Sequence, residues 1–155
     1  MTVAPSVEDL QRQETMLVFP RFSEETAWEI GTALAATARH AAAPVVIDIR
    51  TPDRTLFHAA LPGSVPDNDH WARRKSNITL RCHHSSLLVG RRLAAKGASV
   101  GSEFGLDPLD YAAHGGSFPI RVAEVGVIGA ITVSGLASEE DHAMIVAAIS
   151  AHLNP

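Results

Sequence analysis

The chain is poor in the features that would assign it a class quickly. One cysteine, Cys82, stands in 155 residues, which excludes an internal disulfide framework and any paired-cysteine metal knuckle. No apolar run approaches the ~20 residues that a membrane span requires. There is no internal repeat, linker or low-complexity stretch, and no overall basic excess, since the formal net charge is −4. The opening segment MTVAPSVEDLQRQE is polar with an early acidic pair, unlike a signal or transit peptide. These absences predict a single domain over residues 1–155, cytoplasmic in location, with no membrane and no nucleic-acid partner.

What is present is a hydrophobic content of 46%, ordinary for a globular domain and enough for a core without staples. The central feature is Tyr111 to Leu136, where two short β-branched runs, FPIRVA and GVIGAITV, flank Glu124-Val125. That pattern predicts a β-hairpin, and the near-continuous apolar character of the second run predicts a central strand. VVIDIR and TLFHA around Thr51-Pro52-Asp53-Arg54 predict another hairpin. Helices are expected from Val7 to Met16 after Ser6, and from Ser23 to about Ala42 before Pro44. Two more are expected after Asp67 or Asn68 and after Ser85 or Ser86, the latter ended by Gly97. A last one spans Ala143 to Leu153, with Ser138-Glu139-Glu140-Asp141 resembling a capping box. Leu17-Val18-Phe19 is either a brief strand or an apolar anchor. Helix, hairpin, helices, hairpin, helix is the order of an α+β fold.

Charge is unevenly placed. Residues 67 to 96 hold Arg73, Arg74, Lys75, Arg81, Arg91, Arg92 and Lys96 against Asp67 and Asp69, a local charge of +5 that leaves −9 elsewhere. That split favours a local anion site over a polyanion surface. Trp71, Arg74, Lys75 and Ile78 recur at helical spacing and share one face, where an aromatic beside two cations suits a planar anion. The bland alternative is a core tryptophan with snorkelling cations. His114-Gly115-Gly116 combines a titratable ring with glycines that let backbone amides approach a ligand. His83 and His84 are adjacent, so their rings diverge and chelate poorly; one of them with His114 or His58 is the workable metal or haem arrangement. Asp141-His142 is expected to serve capping and surface chemistry. Gly97-Ala98-Ser99-Val100-Gly101 matches a nucleophile-elbow pattern but follows a helix instead of a strand, so it is a coincidental match.

Taken together, His114-Gly115-Gly116-Ser117-Phe118-Pro119-Ile120, the Gly126 to Leu136 block and Asp141-His142 resemble the haem-degrading-domain superfamily of HbpS-like and GlcG-like proteins. The run Asp67-Asn68-Asp69-His70-Trp71-Ala72-Arg73-Arg74-Lys75, of the form DNDxWxxRK, resembles its cytosolic, uncharacterised branch. The resemblance implies a profilin-like fold, a five-stranded antiparallel sheet covered by helices, assembled as a homo-oligomer. Leu17–Phe19 is then the candidate fifth strand. No haem ligand carries over from it.

The leading expectation is therefore a small-ligand-binding domain for an anionic ligand, held by Trp71, Arg74, Lys75, His114, Gly115 and Gly116. No metal site is expected. The alternatives are haem binding or breakdown, with His83, His84 or His114 as axial ligand, and an oligomeric scaffold without chemistry. The irregular stretch 98–117 is long for a compact domain, which predicts a neighbouring subunit against it.

Overall fold

The computed structural model describes residues 4–155; residues 1–3 lie outside the described part. Helix α1 (Val7–Met16) starts at a reciprocal cap, Ser6 Oγ accepting the Asp9 amide and the Asp9 carboxylate accepting the Ser6 amide. Ser23 and Thr26 do the same for α2 (Glu24–His40), which ends two residues before the expected Ala42. Then come β1 (Val46–Arg50), β2 (Thr55–Ala60), α3 (Pro66–Cys82) and α4 (Ser86–Ala95). Strands β3 (Ser117–Val122) and β4 (Gly126–Ser134) and helix α5 (Ser138–Leu153) complete the chain.

The sheet is antiparallel with four strands in the order β2-β1-β4-β3, so β4, the most apolar run, lies at its centre. The fifth strand is not formed. Phe19 makes a lone bridge to β3, its N–H donating to Arg121 O and its carbonyl accepting from Ala123 N, in parallel sense. The reason is local. Leu17 still closes the last turn of α1 by bonding to Gln13 O, and Pro20 brings no N–H, so almost no chain is left to pair before Ser23 caps α2.

The two faces of the sheet differ in chemistry. Ile47, Ile49, Phe118, Ile120, Ile131 and Val133 pack with Ile30 and Leu34 of α2 and Ile145 and Ile149 of α5, all fully buried or nearly so. Burying each such side chain contributes roughly 1.5–3 kcal/mol before the entropy of ordering is subtracted. The alternate positions of the same strands, Asp48, Ser117, Thr132 and Ser134, are also buried but face α3. Two of them pair with one another and with α4: Thr132 Oγ1 donates to Ser117 Oγ at 2.9 Å, and Ser117 N donates to Ser86 Oγ at 3.0 Å. One face builds the core; the other presents polar groups beneath α3.

Two expected caps differ, and of the two candidates for α4 one is chosen. Asp67 and Asn68 do not cap α3: Pro66 takes the first helical position, and Asn68 Oδ1 instead accepts the Val65 amide at 2.9 Å. Ser85 alone caps α4, accepting from Leu88 N. Helix α5 begins after Ala137 with no side-chain cap.

Candidate functional site

Helix α3 carries its Trp71, Arg74, Lys75, Ile78 face across the end of the sheet. The face grades from core to mouth: Ile78 is fully buried, Lys75 is 3% exposed, and Trp71 and Arg74 are partly exposed. A buried ammonium must find oxygen partners or lose its charge. Lys75 Nζ finds three, donating to Val133 O at 2.7 Å, Gly115 O at 3.1 Å and Asp141 Oδ2 at 3.2 Å.

Asp141 itself is 2% exposed. Its Oδ1 accepts the Leu136 amide at 3.0 Å and its Oδ2 accepts the Gly135 amide at 3.3 Å. The expectation that Asp141 and His142 sit at the surface is corrected: both are interior. Asp141 does cap, but backwards, onto the chain that enters α5, and there it meets Lys75. Burial pushes the Lys75 ammonium below its ordinary value, with Asp141 opposing. The same burial pushes the Asp141 carboxyl up, with Lys75 and the two amides opposing. The pair pins the Gly115 loop, the end of β4 and the start of α5 to α3.

Gly115 and Gly116 are required by this approach. A Cβ on Gly115 would strike the Ser138 carbonyl oxygen, and one on Gly116 would strike Lys75 Nζ and Val133 O. Gly116 also has φ +126, which L side chains rarely adopt. The close passage exposes His114 at the surface, edge-on to Trp71 with ring centroids 5.2 Å apart at 83°. The Arg74 guanidinium stacks 4.5 Å from the Trp71 ring centre while its Nε donates to Pro108 O.

Between these elements lies a cavity of about 420 Å³, within the usual range for small-ligand sites. Asn68, Trp71, Lys75, His114, Gly115 and Ser138 line it. Of the six residues expected from the sequence, Trp71, Lys75, His114 and Gly115 face this space. Gly116 sits behind Lys75, and Arg74 lines a neighbouring recess of about 270 Å³ with Ser99, Tyr111 and His114.

The basic segment is occupied by internal partners. Arg73 donates to Asp110 Oδ1 and Leu109 O, Asn77 to Asp110 O, and Arg74 O accepts from Ala112 N. Arg81 lies over the Tyr111 ring and Arg91 pairs with Glu139. The irregular stretch 98–117 is thus fastened to α3 of its own chain, which supplies a hold that does not need a neighbouring subunit.

The other candidates lie elsewhere. His83 is the left-handed C-cap of α3, with φ 60. His84 Nδ1 lies 2.8 Å from Glu14 Oε1. Both are roughly 18 Å along the α3 axis from Trp71 at the usual rise per residue, so neither shares a site with His114. His58 bridges Asp48 and Asp69 at 2.9 and 3.0 Å and does not line the cavity. Among the described residues no cluster of three or more His, Cys, Asp or Glu side chains is placed to hold a metal ion.

His142, expected at the surface, is 2% exposed and neutral. Its Nε2 donates to Gln13 Oε1 at 2.7 Å, Nδ1 has no partner, and Phe118 lies 5.8 Å away. Burial first, then the Arg91 charge, hold it down at about 4.

The fold and cavity define an α+β domain whose helices cover both faces of an antiparallel sheet, with a polar recess where α3, the His114 loop and α5 meet. The chain belongs to the family described as haem degrading protein HbpS-like, which matches residues 22–150. A UPF0303 protein of Streptomyces coelicolor is 53% identical over 146 residues, covering 94% of this chain and 92% of the relative. The solved structure of Ybr137w protein superposes with a TM-score of 0.86 at 34% identity, over 96% of this chain and 88% of that one. A PduOC–haem complex shares the fold at a TM-score of 0.71 and 20% identity, over 84% and 94% of the two chains. No helix among the described residues is long and apolar enough to cross a membrane.

Proposed function

We propose that the domain binds a small organic ligand bearing an anionic group in the recess between Trp71, His114 and the start of α5. The supporting observation is that a cavity of about 420 Å³ is lined by an aromatic face, an exposed imidazole and the N-terminal end of a helix without a side-chain cap. The positive end of a helix favours an anion, Trp71 offers the flat surface, and the His114 ring nitrogens have no hydrogen-bond partner among the described residues. Lys75 acts indirectly here. Its three protons are held by oxygens of the fold, so it fixes Gly115 and α5 instead of contacting the ligand. Arg74 keeps the indole in place and closes one side. Soaking crystals with phosphate, sulfate and dicarboxylates tests this. Bound anion beside His114 and Ser138 supports the proposal, and a recess that stays free of anion at saturating concentration ends it.

Haem is the second reading, favoured by the family description and by the haem-bound neighbour. The residues present fit it in one respect: His114 is exposed at the rim with both ring nitrogens free to ligate and Arg74 close enough to pair with a propionate. Bound haem would supply redox-active iron, and this chain would contribute the imidazole, the indole wall and the cation. A hemin titration followed at the Soret band decides between ligands. A band lost in His114→Ala supports this reading; a band unchanged in that variant, or none at all, removes it.

Self-association and a cytoplasmic location belong to the same proposal. Leu109 and Trp28 expose 77% and 60% of their surface, apolar area that a second copy would cover. Light scattering at physiological salt tests it, and a monomer of 16.5 kDa would refute it.

A further inference from the structure

A second cavity, of about 410 Å³, lies at the opposite end of α3, where α1, α4 and β3 meet. It is lined by Glu14, Thr15, Val18, His84, Leu88 and Arg121. Glu14 is 6% exposed and uses both carboxylate oxygens, Oε1 for His84 Nδ1 at 2.8 Å and Oε2 for the Ser85 amide at 3.1 Å. A carboxylate accepts, so Nδ1 carries the proton in this bond, and the ring is fixed in both orientation and tautomer. Nε2 is then the nitrogen left for a ligand. Arg121 is fixed too, one N–H donating to His83 O at 2.9 Å, which leaves the other edge of its planar fork unclaimed by any group among the described residues. Val18 and Leu88 add apolar wall.

A buried carboxylate that orients an imidazole beside a guanidinium is more than a tie between helices, because the tie alone needs neither the arginine nor the space. We infer that this cavity is a second ligand site, specific for a small carboxylate with a compact apolar body. Arg121 would take the carboxylate through its fork, His84, taking up a proton on Nε2 with the anion while Nδ1–H stays on Glu14, would donate Nε2–H to the same head group, and the aliphatic part would lie on Val18 and Leu88. Glu14 is a positioning residue, acting through His84. The site lies about 18 Å from Trp71 by helix rise, so it does not rest on the recess proposed above and can be tested apart from it.

The test is a titration of the full-length protein with butyrate and, separately, with inorganic phosphate, followed by ¹⁵N NMR of the histidine rings. Butyrate is expected to saturate and to move His84 Nε2 while the His114 signals stay. Arg121→Gln should weaken it at least tenfold without lowering the melting temperature appreciably, because that side chain is partly exposed, and Arg74→Gln at the other recess should change nothing. Glu14→Gln should weaken butyrate binding and shift the His84 Nδ1 signal even without ligand, a change that a purely structural tie elsewhere would not produce. Absence of a saturable His84 shift, equal affinity in Arg121→Gln, or shifts confined to Trp71 and His114 would each overturn the inference. Phosphate binding without butyrate binding would overturn the assigned ligand class.

Discussion

Replacing Lys75 with methionine should cost the fold more than any other single change around the recess. Methionine keeps the length and apolar stem but removes the ammonium. Asp141 is then left as a buried carboxylate with only the Gly135 and Leu136 amides, and the Gly115 and Val133 carbonyls lose the donor they share. Breaking a buried pair from one side costs about 3–5 kcal/mol, and each orphaned buried acceptor adds to the cost at about 1–3 kcal/mol. The better burial of a thioether recovers part of this, so the expected net loss is roughly 3–5 kcal/mol. A domain of this size has about 5–15 kcal/mol of stability in all. The assay is urea unfolding followed by tryptophan fluorescence, with Lys75→Met, Asp141→Asn and the double variant. The double should cost less than the sum of the singles by about 1–3 kcal/mol, since the second change removes a charge the first had stranded. A Lys75→Met loss below about 1 kcal/mol, or strict additivity, would refute the view that this pair fastens α3 to α5 and the His114 loop.

Acid should weaken the fold through His142. Its folded value near 4 lies below the ordinary 6.5, so the unfolded chain takes up a proton first, and stability present above pH 6.5 is lost as pH falls toward 4. The full loss is about 3 kcal/mol. Asp141, pushed up by burial, opposes it at the acid end, so the quantity to measure is the stability difference between wild type and His142→Asn, which should shrink from pH 7 to 4.5; a constant difference would count against it. Gly116→Ala combines a disallowed φ with a collision against Lys75 and Val133 O and should destabilise by more than about 2 kcal/mol in thermal unfolding. Arg73→Ala together with Asn77→Ala removes exposed ties to the 106–112 loop; amide exchange there should rise while global stability falls by less than about 1 kcal/mol.

The apolar half of the fold was open to reading from the sequence. Both hairpins, the central place of GVIGAITV, and the Ser6, Ser23 and Ser85 caps follow from local rules, because alternation and capping act between residues close in the chain. The fifth strand did not form because the claims of two helices on residues 17 to 23 outweighed the apolar character of Leu17–Phe19. Trp71, Lys75, His114 and Gly115, which line the recess, could be picked out because each carries its chemistry in its own type. Asp141 was missed because its role depends on Lys75, 66 residues earlier, and a carboxylate in a first helical turn reads as a cap. One signal was available: a lysine on the same helix face as a core isoleucine needs a buried acid somewhere.

The same reasoning explains why the +5 segment misleads as an index of anion affinity. Formal charge counts cations without asking what they already hold. Arg73, Arg74, Lys75, Arg81 and Arg91 each engage a carboxylate, a carbonyl or a ring of the chain itself. All five partners lie on the 107–116 approach to His114 or in the first turn of α5 (Pro108, Asp110 and Tyr111 in the loop, Asp141 and Glu139 in the helix). The cations thus hold the His-Gly-Gly loop and the α5 end against the sheet, and the groups left facing the cavity are the indole, the imidazole and the helix terminus. Affinity at such a site comes from geometry held in advance and not from net charge. Binding there should accordingly be less sensitive to salt than a +5 surface would make it, and a steep decline of affinity between low and physiological ionic strength would show that free cations, not the fixed loop, hold the ligand.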